Sequence, residues 1–224
     1  MSYIINIDTA TATAHVSIAQ DGKLLQALQN ESQKDHGAFV QTAIQQLLKT
    51  VALSFADIDA IAVTAGPGSY TGLRVGLASA KGLCYALNKP LLTLNTLEVL
   101  TTAAKKLSNN EKGILYCPMI DARRMEVFTA LYTDTLTAML PPCAMILNDT
   151  SFLTTLENEK IVFFGNGAAK WQQVCTHPNA SFTTHLALPE AMVDLSYQYF
   201  LEQRFADLAY SEPFYLKEFQ NNVY

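Results

Sequence analysis

The sequence predicts an α/β protein made of two similar halves, each built on a mixed sheet. Three observations predict it. The order three strands, helix, strand, helix occurs twice along the 224 residues. The runs "YIINID", "AIAVTAG" and "IVFFG" are dominated by apolar residues, as strands buried on both faces are. Half of the residues are hydrophobic, enough for a sizeable core. The duplication lies in the order of elements, with no strong residue-level repeat.

In the first half, 3–8 reads as a buried strand and 13–20 as an alternating one. The Asp21-Gly22 turn leads into a third strand over 23–30. Phe39, Val40, Ala43, Ile44, Leu47, Leu48 and Val51 recur at helical spacing. The opposite face of that helix is neutral, with Gln41, Thr42, Gln45 and Gln46. Ser54 and Asp57 stand at capping-box spacing. A buried strand at 60–66, a helix from Thr71 to Leu87, a strand at 90–96 and a helix to Lys106 complete the half. "SNNEKG" (108–113) reads as the linker, so the expected halves are 1–107 and 108–224.

The second half repeats the order, with strands at 114–122 and 125–133. A weaker strand at 137–146 is expected to be broken by Pro141 and Pro142. A short helix follows at 150–156, then a buried strand at 161–165. The stretch 166–175 opens a helix, and a strand over 180–184 and a long helix over 189–206 follow.

Composition limits the function classes. Only 16% of the residues are charged, against about 25% in ordinary soluble domains. A surface that is poor in charge suggests a covered face. The net charge of −5 argues against a broad nucleic-acid footprint. Cys84, Cys117, Cys143 and Cys175 form no CxxC pair and read as reduced thiols. No apolar run of about 18 residues predicts a membrane span, and a cytoplasmic location is expected. His15, His36, His177 and His185 offer neither HxxxH nor HExxH spacing, so no metal site is expected. There is no GxSxG elbow, and no catalytic residue is assigned.

The glycine-rich stretch 62–87 raises the question of phosphate. Gly66 and Gly72 are six apart, but Leu73-Arg74 stands where a P-loop needs Lys-Ser/Thr. Gly66-Pro67-Gly68-Ser69-Tyr70-Thr71-Gly72 is one residue too long for a dinucleotide fingerprint. Anion binding at the helix start and a plain tight turn, with the Ser69 hydroxyl as helix cap, both stand as readings. In duplicated folds of this kind nucleotides bind between the halves, so the hairpin turns 8–14 and 121–126 matter. Neither contains the glycine that a phosphate cradle wants. Asp8, Arg74, Asp121, Arg123, Gly165 and Gly167 are what a vestigial nucleotide or anion site would retain. No cofactor is expected.

The helix carrying Gly72, Gly76 and Ala80 has a stripe of small residues, extended by Ser79 and Leu83. Leu73, Leu77, Cys84 and Leu87 form a second, core-facing stripe. From Ala60 to Leu97 there are three charges, all positive. Two readings stand: a helix central in its own fold, or a helix that docks another protein. The neutral face of the preceding helix favours docking, through Gly72, Val75, Gly76, Ser79, Ala80, Leu83, Gln41 and Gln45.

The segments "IINIDTATATAHVSI", "IAVTAGPGSYTGLRVGLASAKGLCYALNKPLL", "MIDARRMEVFTALY", "FFGNGA" and "PFYLKEF" (213–219) follow one another along nearly the whole chain. With these residues the sequence resembles the TsaB/YeaZ family of tRNA threonylcarbamoyladenosine biosynthesis proteins, paralogues of the TsaD/Kae-type proteins. The resemblance implies a duplicated actin-like ATPase fold and a non-catalytic role. Such chains form a heterodimer with TsaD, which transfers a threonylcarbamoyl group to the adenosine beside the anticodon of ANN-reading tRNAs. A TsaE-type ATPase joins the complex, tRNA is met indirectly, and self-association through the first two helices occurs. TsaD-type proteins hold metal with an HxxxH pair on the first helix. Here His36 and Val40 stand there, so that function does not carry over. The alternative is a stand-alone ATP- or metal-dependent hydrolase, supported only by Asp8 and the "GNG" turn.

Overall fold

The computed structural model describes residues 1–217 except 33–34, 109–112, 184–185 and 187. Two five-stranded sheets form with the same topology. The first runs β3-β2-β1-β4-β5, with β1 (Tyr3–Asp8), β2 (Ala14–Gln20), β3 (Lys23–Asn30), β4 (Ala60–Gly66) and β5 (Leu91–Asn95). The second runs β10-β9-β6-β7-β8, with β6 (Ile114–Asp121), β7 (Glu126–Tyr132), β8 (Ala138–Ile146), β9 (Lys160–Phe164) and β10 (Ala180–Thr183). In each sheet the first three strands pair antiparallel and the last two join parallel, beside the first. The expected duplication is therefore present in the pairing itself.

The chain forms two compact units. One is Met1–Thr96 with Leu188–Tyr215, and the other is Leu97–Ala187 with Leu216–Tyr224. They are assembled differently from the expected halves 1–107 and 108–224. The proposed linker falls largely on 109–112, outside the described residues. Helix α6 (Leu188–Leu201) belongs with the first sheet because its apolar residues Ala191, Met192, Val193, Leu195 and Tyr199 are buried on β1, β2, β3 and β5.

In the first unit the odd residues of β1, Ile5 and Ile7, join Val16, Ile18, Ile61 and Val63 in one core. Helix α1 (His36–Thr50) adds Val40, Ala43, Ile44, Leu47 and Leu48 to it. Helix α2 (Tyr70–Leu87) adds Leu77, Ala80 and Cys84. Ile4, Ala60 and Ala62 are buried on the opposite face of the strands. With residues of these strands buried on both faces, β4 is buried at every position. The Ser54 amide donates to Asp57 Oδ2 at 2.8 Å, so the expected capping box forms around a single 3₁₀ turn.

In the second unit Leu115, Cys117, Met119, Val127, Leu131, Ile161, Phe163 and Trp171 make the core. Helix α3 (Thr96–Leu107) precedes this sheet, and α4 (Leu153–Leu156) and α5 (Ala168–Gln172) contribute Leu156, Ala168 and Trp171 to its core. Burial pushes the Cys117 thiol up to about 12, so it stays protonated at any ordinary pH.

Two elements differ from expectation. Strand β8 is continuous through Pro141 and Pro142. It is an edge strand, and its pairing with β7 slips between Thr129 and Leu131, where prolines need give no ladder hydrogen bond. Helix α6 ends at Leu201 rather than near Ala206. Gln203 is left-handed (φ 54°), and Ala206 then donates its N–H to Leu91 O at 2.8 Å on the edge of the first sheet.

Candidate partner-binding helices and the loops beside them

The glycine-rich loop between β4 and α2 closes on its own chain. Ser69 donates its N–H to Ala10 O at 2.7 Å, and Thr9 Oγ1 donates to Gly72 O at 2.7 Å. A Cβ on Gly68 would collide with the Ala10 carbonyl oxygen, and one on Gly72 with the Thr9 carbonyl oxygen. A Cβ on Gly76 would strike Thr9 Oγ1 and stand 3.4 Å from Val63. Ser69 Oγ accepts from Gly72 N at 3.3 Å, the expected cap. At Gly68 and Gly72 backbone meets backbone, and at Gly76 the helix meets the Thr9 side chain, so none of these glycines has room for a Cβ. They let α2 start directly on the turn that follows β1.

This corrects the docking stripe. Gly72, Gly76 and Ala80 are buried within the chain, the two glycines against Thr9. The small residues do permit close approach, but the surface that approaches is the chain's own. Of the other expected interface residues, Gln41 and Gln45 are exposed, and Val75, Ser79 and Leu83 are half-buried. They border an exposed face that also includes Ala78, Gly82, Tyr85 and Ala86 on α2 and Ala38 and Thr42 on α1. Tyr85 is 82% exposed. A Cβ on Gly82 would meet nothing within 4 Å. Sequence reasoning missed this arc, although Ala78, Gly82 and Tyr85 share a face by their spacings of four and three.

The residues of the vestigial anion site are also engaged. Asp8 is buried at the end of β1, and its Oδ1 accepts from Thr64 Oγ1 at 2.8 Å and from Ala10 N at 3.0 Å. Arg74 is exposed and packs its guanidinium 3.9 Å over the Tyr70 ring. Its Nε donates to Tyr215 OH at 2.9 Å, a bond that raises its already high pKa. Tyr215 stacks on Tyr70 at 5.0 Å, and Phe214 donates its N–H to Ala65 O at 2.6 Å. Lys81 Nζ donates to the carbonyls of Ala209 and Ser211. Both cations of the 62–87 stretch, Arg74 and Lys81, thus hold the strap 209–215. Only the fold brings that strap to them.

In the second unit, Asp121 Oδ1 accepts from Lys170 Nζ at 2.7 Å and from Arg123 N at 2.6 Å. Partial burial pushes its carboxyl up, but the Lys170 bond, the Arg123 amide and the two cationic charges outweigh it and hold it below the ordinary range. Gly165 has φ 92° and a Cβ there would collide with the Met119 carbonyl oxygen, and Gly167 donates its N–H to Met119 O at 2.9 Å. The "GNG" turn is therefore an anchor on β6. Arg123 and Arg124 are exposed.

His36 does not sit as a ligand. It is buried, and its Nε2 lies 3.1 Å from Ala12 O, tying the start of α1 to the first hairpin. Val40, one turn on, is in the core. His177 Nδ1 accepts from Asn179 N at 3.2 Å, and His185 lies outside the described residues. Among the described residues no three His, Cys, Asp or Glu side chains gather as metal ligands would. No described helix is long and apolar enough to cross a membrane.

His15, on β2 opposite Asp8, is partly buried, and its pKa is lowered. Burial outweighs the opposing charges of Asp8 and Glu190. The unfolded chain then takes up a proton near pH 6.5 that the folded chain resists. Stability is expected to be flat above that value and to decline as pH falls below it, toward the lower folded pKa. Urea unfolding between pH 7.5 and 5.5 checks this. His15→Gln should flatten the slope in that window, and an unchanged slope would assign it elsewhere.

The comparisons with known proteins agree with this geometry. The family model described as TsaD, tRNA N6-adenosine threonylcarbamoyltransferase, matches residues 28–218. A relative named tRNA threonylcarbamoyladenosine biosynthesis protein TsaB from Escherichia coli (strain K12) is 29% identical over 98% of this chain and 95% of its own length. The protein of the same name from Bacillus subtilis (strain 168) is 27% identical over 76% of this chain and 74% of its own. In structure, YeaZ from Pseudomonas aeruginosa superimposes with a TM-score of 0.78 at 21% identity, covering 96% of this chain and 100% of that one. The two repeated sheets therefore have the actin-like fold that the sequence implied. With a model match across most of its length and near-complete alignment to such relatives, the chain belongs to the TsaD family, in its TsaB/YeaZ branch.

Proposed function

We propose that the chain is a non-catalytic subunit in the synthesis of threonylcarbamoyladenosine beside the anticodon of ANN-reading tRNAs. It acts by heterodimerising with a TsaD-type catalytic subunit. A TsaE-type ATPase completes the assembly in the cytoplasm, and self-association uses the same helices. The relatives named for this pathway supply the reaction. One observation supports the role of docking subunit: the nearly uncharged arc of α1 and α2, in which Gln41, Gln45, Ala78, Gly82 and Tyr85 are exposed and Val75, Ser79 and Leu83 half-buried. A large exposed aromatic among small neutral residues is the composition of an interface centre. The hydrolase reading finds no support, since Asp8 and Gly167 are occupied by their own chain.

Purified chain and a TsaD-type subunit from the same host, mixed and run through sedimentation, are expected to give a 1:1 complex. With a threonylcarbamoyl donor and an unmodified ANN-reading transcript, modification should require both chains. Full activity of the TsaD-type subunit alone, or modification by this chain alone, would sink the proposal.

A further inference from the structure

The Arg123-Arg124 turn is the one motif of the sequence that the docking role does not absorb. It joins β6 to β7, and both arginines are left-handed, with φ of 72° and 51°. That region favours glycine or asparagine, and side chains larger than these hold it only against a conformational cost. The turn is pinned from several sides. Asp121 accepts from Arg123 N at 2.6 Å, Asn166 Oδ1 accepts from Asp121 N at 2.9 Å, and Lys170 Nζ reaches Glu126 O at 3.0 Å. The two acids of the turn are already neutralised, Asp121 by Lys170 at 2.7 Å and Glu126 by Lys217 at 2.8 Å. Neither arginine guanidinium is bonded to another described residue. Four cations against two paired acids leave a local excess of two positive charges, in a chain whose net charge is −5.

We propose that this turn is a phosphate-binding tip that grips the backbone of the RNA substrate. The proposal rests on the reading that the assembly modifies tRNA. Two adjacent guanidinium forks on a fixed turn suit phosphate oxygens, which they bind bidentately. An acidic protein partner fits less well. Arginine at protein interfaces sits among apolar contacts, and the exposed apolar residue of this turn is Met125 alone, 36% exposed. The negative charge of the chain as a whole keeps the contact short and confined to the tip.

The test measures binding of an unmodified ANN-reading tRNA transcript across a salt series, on the chain alone and on its complex with the TsaD-type subunit. Arg123→Glu with Arg124→Glu should weaken RNA binding about tenfold. It should also flatten the slope of log affinity against log salt by about 1.5, as loss of two phosphate contacts requires. Complex formation should be unchanged. Arg123→Gly with Arg124→Gly relieves the left-handed backbone, so it should melt no lower than wild type and still lose RNA affinity, which separates binding from folding. RNA affinity and salt slope equal to wild type in both double variants would overturn the proposal. So would a loss confined to assembly with a protein subunit, which would make the turn a protein contact. Failure of the wild-type chains to form a complex would count against the docking role and leave the RNA measurement on the chain alone to decide the turn.

Discussion

Gly72→Ala is expected to destabilise the protein by about 2–3 kcal/mol, the range of overpacking in a closed core. The added methyl lands on the Thr9 carbonyl oxygen, which is backbone and has no rotamer to yield. Relief requires α2 to lift from β1. That strains the 2.7 Å bond from Thr9 Oγ1 to Gly72 O and the packing of Leu73 and Leu77 beneath the same turns. Gly82→Ala is the control on the same helix. Nothing lies within 4 Å of its added Cβ, so the better helix propensity of alanine is free to act and stability should rise by up to about 1 kcal/mol. Urea unfolding of the two variants therefore moves in opposite directions from one chemical change. Equal stability of Gly72→Ala and wild type would show that α2 is not seated on Thr9.

Gly82→Arg is expected to reduce affinity for the TsaD-type subunit at least tenfold, with unfolding free energy within about 1 kcal/mol of wild type. The position is exposed and open, so arginine is accommodated in the free chain. At a packed helix-to-helix contact the same side chain must be desolvated or displaced, which costs more than 1.4 kcal/mol, the equivalent of tenfold. Gly76→Arg, which the small-residue stripe would have suggested, is not an interface test. Its Cβ already strikes Thr9 Oγ1, and its effect would be unfolding. Undiminished heterodimer affinity in Gly82→Arg, by titration calorimetry, would move the interface off this arc.

Element order, most element boundaries and the duplication were legible in the residues alone, because burial on both faces leaves a mostly apolar run and burial on one face leaves a period. So was the failure of the phosphate motifs, since they are spacings of adjacent residues. Close approach at Gly72 and Gly76 was legible for the same reason: a missing Cβ is a local property. What approaches was not, because Thr9 and Ala10 lie some sixty residues away, and one-dimensional spacing does not say which of two apolar stripes finds the sheet. The strap that engages Arg74 and Lys81, the return of α6 to the first sheet and the continuity of β8 through its prolines depend on contacts of the same long range. Tertiary structure alone decided which glycines are core and which are surface, since only the neighbours present in space determine whether a Cβ has room.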